Sequence, residues 1–211
     1  YPTRNDVLAI DGHFDTNSMI EKVNAHFRDI PDREPADIEI PQDPPLTDEK
    51  RVSVTGPGET SYIQISYRAP RASNPDFFTL TVLDSLLTGP SSLNMFGSGG
   101  TTNKTSRLYR ALVEGEIAVS CHGGLQATLD PYLYTIHLTV HPAHSPEDVL
   151  DAFDQVIRTV LDSPVTSSTI ERAIKQAKAL FAYSSENISN QAFWLGYTEM
   201  FDRYDWFENY I

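Results

Sequence analysis

The chain is poor in cysteine, poor in positive charge, and has no long apolar run. A single cysteine, Cys121, in 211 residues excludes an internal disulfide framework and a cysteine-rich metal module. Lys and Arg number 16 against 29 Asp and Glu, giving a net charge of −13. That balance excludes the basic face with which a nucleic-acid binder neutralises phosphates, and it suits an anionic membrane surface no better. No apolar segment is long enough to span a bilayer and no signal peptide is visible, which favours the cytoplasm over secretion. The chain opens Tyr1-Pro2-Thr3 without a methionine and stops at Asn209-Tyr210-Ile211 inside an aromatic, helix-like stretch. A piece of a longer polypeptide is expected.

Apolar residues make up 40% of the chain and charged residues 21%, so a globular fold with a sizeable core is expected. Val7 to Ile10 is a short apolar run. Asp15 or Thr16 then caps a helix with Met19, Ile20, Val23 and Phe27 at helical spacing. Prolines at 31, 35, 41, 44 and 45 make residues 30–47 an extended connector. Arg51 to Thr55 and Ser61 to Arg68 flank Gly56-Pro57-Gly58, and the alternation of Ile63, Ile65 and Tyr67 with polar residues predicts an antiparallel hairpin. Asn74-Pro75 places a cap and an N1 proline before a buried helix over 77–87.

Two further strands are expected at 116–122 and 132–141, with Tyr132, Tyr134, Ile136, Leu138 and Val140 on one face. Cys121 shares the register of Ile117 and Val119, which makes it a small core residue. Ser145-Pro146 opens a helix, Ser168 and Glu171 have capping-box spacing for the next, and residues 190–204 form the last. The order β-α-β-β-α-α-β-β-α-α-α predicts an α+β domain with an antiparallel-rich sheet and helices packed on one face.

A glycine- and serine-rich loop runs into a basic helix at Gly97-Ser98-Gly99-Gly100-Thr101-Thr102-Asn103-Lys104. It is not a phosphate-binding P-loop, because Asn103 precedes the lysine, Ser98 stands where the first glycine belongs, and a helix precedes the loop. The six histidines offer no metal motif. His137 and His141 share a strand face but at ~3.3 Å rise per residue lie too far apart for one zinc. No serine sits in a nucleophile elbow. Lys104, Arg107 and Arg110, spaced by three, form a basic stripe on a helix, either a solvated face or a contact for an acidic partner or peptide.

Several segments together resemble the M16 family (insulinase, pitrilysin and mitochondrial processing peptidase), and within it the non-catalytic, C-type domain. They are Val7–Asp15, Ile65-Ser66-Tyr67-Arg68-Ala69-Pro70, Leu83 to Leu87, Ser106-Arg107-Leu108-Tyr109, Ile117-Ala118-Val119-Ser120 and the helix from Thr166 to Lys178. The resemblance covers nearly the whole chain, so residues 1–211 are expected to be one LuxS/processing-peptidase-type domain. It implies a clamshell of homologous domains around a peptide, with zinc held by an inverted His-x-x-Glu-His motif on another domain. That motif is absent here, so no zinc and no catalytic residue are expected in this chain.

In many partner domains an arginine and a tyrosine reach the substrate. Their positions fall at Val113 and Val119, so that role is not carried over. The expected function is therefore chamber wall and peptide-substrate contact beside a catalytic M16 domain of the same polypeptide. The alternative is a catalytically dead structural subunit. Gly97, Gly99, Gly100, Lys104, Arg107 and Arg110 are the candidate substrate-binding residues, the glycines by likeness to a substrate-moving loop of the processing peptidase. An apolar face left by a missing partner would let the fragment form a homodimer.

Overall fold

The computed structural model describes residues 5–34, 39, 41, 43–90 and 104–206, the side chain of Ser184 excepted. The chain divides into two compact units, Tyr1–Gly58 and Glu59–Ile211. In the first, helix α1 (Thr16–Phe27) starts at Asp15, whose Oδ1 accepts from the Ser18 backbone N–H at 2.8 Å. The strands expected at 7–10 and 51–55 are not formed. A strand requires a neighbour for its backbone donors and acceptors, and alternation alone supplies none. Val7, Leu8, Ile10, Val52 and Val54 are accordingly exposed. Gly56-Pro57-Gly58 closes the first unit instead of turning a hairpin.

The second unit runs β1 (Tyr62–Ala69), α2 (Pro75–Leu87), a π-helical turn (Tyr109–Val113), β2 (Ala118–Leu125), β3 (Tyr132–Val140), α3 (Pro146–Asp162), α4 (Ser167–Ser184) and α5 (Ile188–Thr198). The three strands form one sheet in the order β1-β3-β2, antiparallel throughout. Alternation along β3 turns Tyr134, Ile136, Leu138 and Val140 to a buried face, joined there by Cys121 and Leu125 of β2. Phe77 and Leu87 of α2, Leu108 and Leu112 beside the π turn, and Val149 and Phe153 of α3 belong to the same core. Each such Leu, Phe or Val contributes about 1.5–3 kcal/mol when fully buried. The α+β arrangement expected from the sequence, one antiparallel sheet with helices on a face, is the one observed.

Local chemistry starts the helices. Asn74 Oδ1 accepts from Asp76 N–H, with Pro75 at N1. Ser145 and Asp148 form a reciprocal capping box at α3. The box expected at Ser168 is absent: α4 begins two residues earlier, with Thr166 as N-cap and its hydroxyl against those of Ser168 and Thr169. Helix α2 ends at Thr88, and Gly89 follows at φ 96°, a left-handed position that glycine takes without a Cβ penalty.

β2 carries a bulge between Ala118 and Ser120. The bulge breaks the expected alternation: Ala118 and Cys121 are buried, while Val119 is turned out at 54% exposure. Cys121 is thus a core residue, though not in the register of Val119. Aromatic packing of Trp194, Tyr197, Phe201 and Trp206 closes the C-terminal end, and Trp206 Nε1–H donates to Ala72 O at 3.1 Å.

Candidate functional site

Helices cover one face of the sheet, and the opposite face carries polar side chains. Register fixes its rows. Gln64 of β1 lies opposite His137 of β3, which lies opposite His122 of β2. All three are exposed. Beside them runs a row of Tyr62, Thr139 and Ser120, in which the Ser120 and Thr139 hydroxyls are 2.9 Å apart. Ser66 and Thr135 face each other on the other side at 3.4 Å. Directly opposed residues of antiparallel strands have Cβ atoms about 4.5–5.5 Å apart, so the two histidines occupy adjacent positions on this face.

Such a surface offers donors and acceptors to an extended polar ligand but no nucleophile and no metal cage. Two imidazoles leave a zinc ion short of the three or four protein ligands it takes. Among the described residues no group of three or more His, Cys, Asp or Glu could hold a metal. The described residues of this face therefore do not make a zinc cage.

On the buried side of the sheet lies a polar cluster. Asp84, at the end of α2, is 1% exposed, and its Oδ1 accepts from Tyr134 Oη–H at 2.8 Å and Thr88 Oγ1–H at 2.6 Å. Burial first, and then the neighbouring Asp84 carboxylate, push the Tyr134 phenol far above its ordinary range and the Cys121 thiol up to about 12. Both stay protonated at neutral pH. Cys121 is consequently no nucleophile, and the cluster is a structural tie between α2 and the sheet.

The expected basic stripe is taken apart by the backbone. Lys104 lies in a turn before the helix, Arg107 opens the short helical segment, and Arg110 lies in the π turn. Lys104 and Arg110 are exposed, whereas Arg107 is half-buried and lines a cleft against α4 with Arg172. Gly97, Gly99 and Gly100 lie outside the described residues.

Sequence patterning missed the pairing of His122 with His137, because it located each on a strand without fixing the hairpin register. The turn signal Asp130-Pro131 between the two strands was the clue available. It also missed Arg172 as a companion of Arg107, since that meeting is made by helix packing.

No curated protein matches this chain. Solved structures share its fold at low identity. A putative zinc protease from Bordetella pertussis Tohama I is 21% identical with a TM-score of 0.56, over 72% of this chain and 77% of that one. A protease from Helicobacter pylori is 16% identical with a TM-score of 0.69, over 93% of this chain and 46% of that one. The peptidase M16 inactive domain from Pseudomonas fluorescens is 15% identical with a TM-score of 0.57, over 73% of this chain and 34% of that one. The chain thus spans less than half the length of the latter two. The family profile described as the peptidase M16 inactive domain matches residues 1–177, most of the chain. With its sheet, helical layer and motif order in agreement, the chain belongs to the inactive-domain family of M16 peptidases.

Proposed function

We propose that this chain is the non-catalytic companion of a zinc-bearing M16 peptidase domain in the same polypeptide, and that its open sheet face forms part of the wall of a peptide-holding chamber. The observation that carries this is the asymmetry of the sheet. One face is sealed by helices, while the other presents Gln64, His137 and His122 in a continuous row with hydroxyl rows on either side. A peptide backbone is an array of donors and acceptors, and an alternating polar surface can satisfy it without demanding one side-chain sequence. Lys104 and Arg110, exposed on a chain of net charge −13, are additional contacts for acidic peptide segments, together with Gly97, Gly99 and Gly100, which precede them in the sequence. Zinc and the general base belong to the catalytic domain, where the metal would activate water.

Reconstitution in trans tests this. The catalytic domain alone should cleave a fluorogenic peptide poorly, and adding this chain should raise kcat/KM at least about tenfold, equivalent to roughly 1.4 kcal/mol of transition-state stabilisation. The double substitution His122→Ala/His137→Ala should lower that gain mainly through KM. Equal activity of the catalytic domain with and without this chain would overturn the proposal and leave the dead-subunit alternative.

A further inference from the structure

Between the C-terminal end of α2, the turn entering the π-helical segment and the first turns of α4 lies a cleft of about 260 Å3, open solvent included. Its walls include Thr105, Ser106, Arg107, Thr169 and Arg172, and no acidic side chain among the described residues lines it. The two helices that frame it are tied together by Ser85, whose Oγ–H donates to Ala173 O at 3.0 Å. The cleft is therefore held open by packed, hydrogen-bonded structure.

Two features of this cleft are out of keeping with the rest of the molecule. Acidic residues outnumber basic ones 29 to 16, yet two arginines line this cleft without an ion pair among the described residues. Arg107 is moreover half-buried, where an unbalanced cation is costly. Ser106 adds an independent observation: it is 2% exposed, and its Oγ, shut off from solvent, has no hydrogen-bond partner among the described residues. Buried hydroxyls are nearly always paired, so an orphan beside two arginines marks a place where an acceptor belongs.

We propose that this cleft is a binding site for a compact oxyanion, a carboxylate or an inorganic phosphate. Arg107 and Arg172 supply planar forks of N–H donors that match two oxygens at once, and rotation of the Ser106 side chain about χ1 would bring its hydroxyl to a bound oxygen. Thr105 and Thr169 stand at the rim. The cleft lies in the helical layer and the proposal does not depend on the chamber assigned to the open sheet face.

Titration of the 211-residue chain at low ionic strength with sodium acetate and, separately, sodium phosphate tests the site, with sodium chloride as the ionic-strength control. Arginine Nε–Hε resonances are followed by NMR. One or both oxyanions should shift Arg107 and Arg172 saturably with a common dissociation constant. Arg172→Gln, at an exposed position, should weaken binding at least about tenfold, because one charge-assisted fork is lost. Arg107→Lys, which keeps the charge and loses the fork, should weaken it as well. Arg158→Gln on α3, outside the cleft, should bind as the unmodified chain does. Tighter acetate than phosphate identifies a carboxylate, including that of a peptide, as the ligand; the reverse order identifies phosphate. Linear shifts matched by chloride, or full affinity in Arg172→Gln, would overturn the proposal.

Discussion

Replacing Gly123 by alanine probes the buried tie between α2 and the sheet. A Cβ at this position on β2 would fall well inside contact distance of Asp84 Oδ1 and Thr88 Oγ1, and 3.0 Å from Thr88 Cβ. Neither side chain can simply step aside. Asp84 is 1% exposed and holds two hydroxyl donors, Tyr134 at 2.8 Å and Thr88 at 2.6 Å. Forcing a methyl into a packed site costs about 1–3 kcal/mol. Displacing the carboxylate from one donor adds roughly 1.5–3 kcal/mol for a hydrogen bond to a charged group.

Because moving Asp84 relieves part of the crowding, the expected net loss is about 2–5 kcal/mol, a large fraction of a domain's usual 5–15 kcal/mol. At roughly 2–4 °C per kcal/mol the melting temperature should fall by at least about 4 °C, read by circular dichroism. Tyr134→Phe removes a donor without adding volume and should cost about 1.5–3 kcal/mol. The double variant should be less destabilised than the sum of the singles, since alanine has already disturbed the bond that phenylalanine deletes. A Gly123→Ala variant within about 0.5 kcal/mol of the parent, or strict additivity with Tyr134→Phe, would refute a shared, rigid cluster.

Alkaline pH should destabilise the fold through Cys121: its thiol ionises near 9.0 when unfolded but is held up to about 12 when folded, so stability is intact below pH 9 and is lost as pH rises toward 12, by about 1.4 kcal/mol per pH unit. Tyr134, raised in the same direction, steepens the fall, and Cys121→Ala should flatten it in urea midpoints compared at pH 8.5 and about 10.5. Ser145→Ala deletes the hydroxyl that accepts from Asp148 N–H at 3.2 Å and half of the capping box, so α3 should lose about 1 kcal/mol in the same urea assay.

Caps, turns and core faces were legible because each is decided within a few residues. Asp15, Asn74-Pro75 and Ser145-Pro146 act as helix starts because a side-chain oxygen next to a free backbone N–H is a local event. The inward face of β3 followed from alternation alone. Val7 to Ile10 and Arg51 to Thr55 had equally good strand patterning and are not strands, because a ladder needs a second strand that local sequence cannot name. The bulge at Ala118–Ser120 was invisible for the same reason: an extra residue is defined only against a partner. The π turn at Tyr109–Val113 replaced an expected α-helix and with it the even spacing of Lys104, Arg107 and Arg110.

Part of the family resemblance is carried by core residues. Ala69, Leu86, Leu87, Ser106, Leu108 and Ala118 are all buried. Such positions are constrained by packing at crystal-like density, where a methylene more or less is felt, and so they keep a readable pattern. Surfaces that could meet a ligand obey a different rule. The row of Gln64, His137 and His122 is created by register across three strands, and the meeting of Arg107 with Arg172 is created by α4 lying against the end of α2. Neither depends on spacing within one segment. In this chain local sequence therefore marks these packed positions, and long-range pairing decides which side chains meet at the surface. Ser106 is the residue where the two meet: its place in the Ser-Arg-Leu-Tyr motif marks the family, while its orphaned hydroxyl beside Arg107 marks a candidate site.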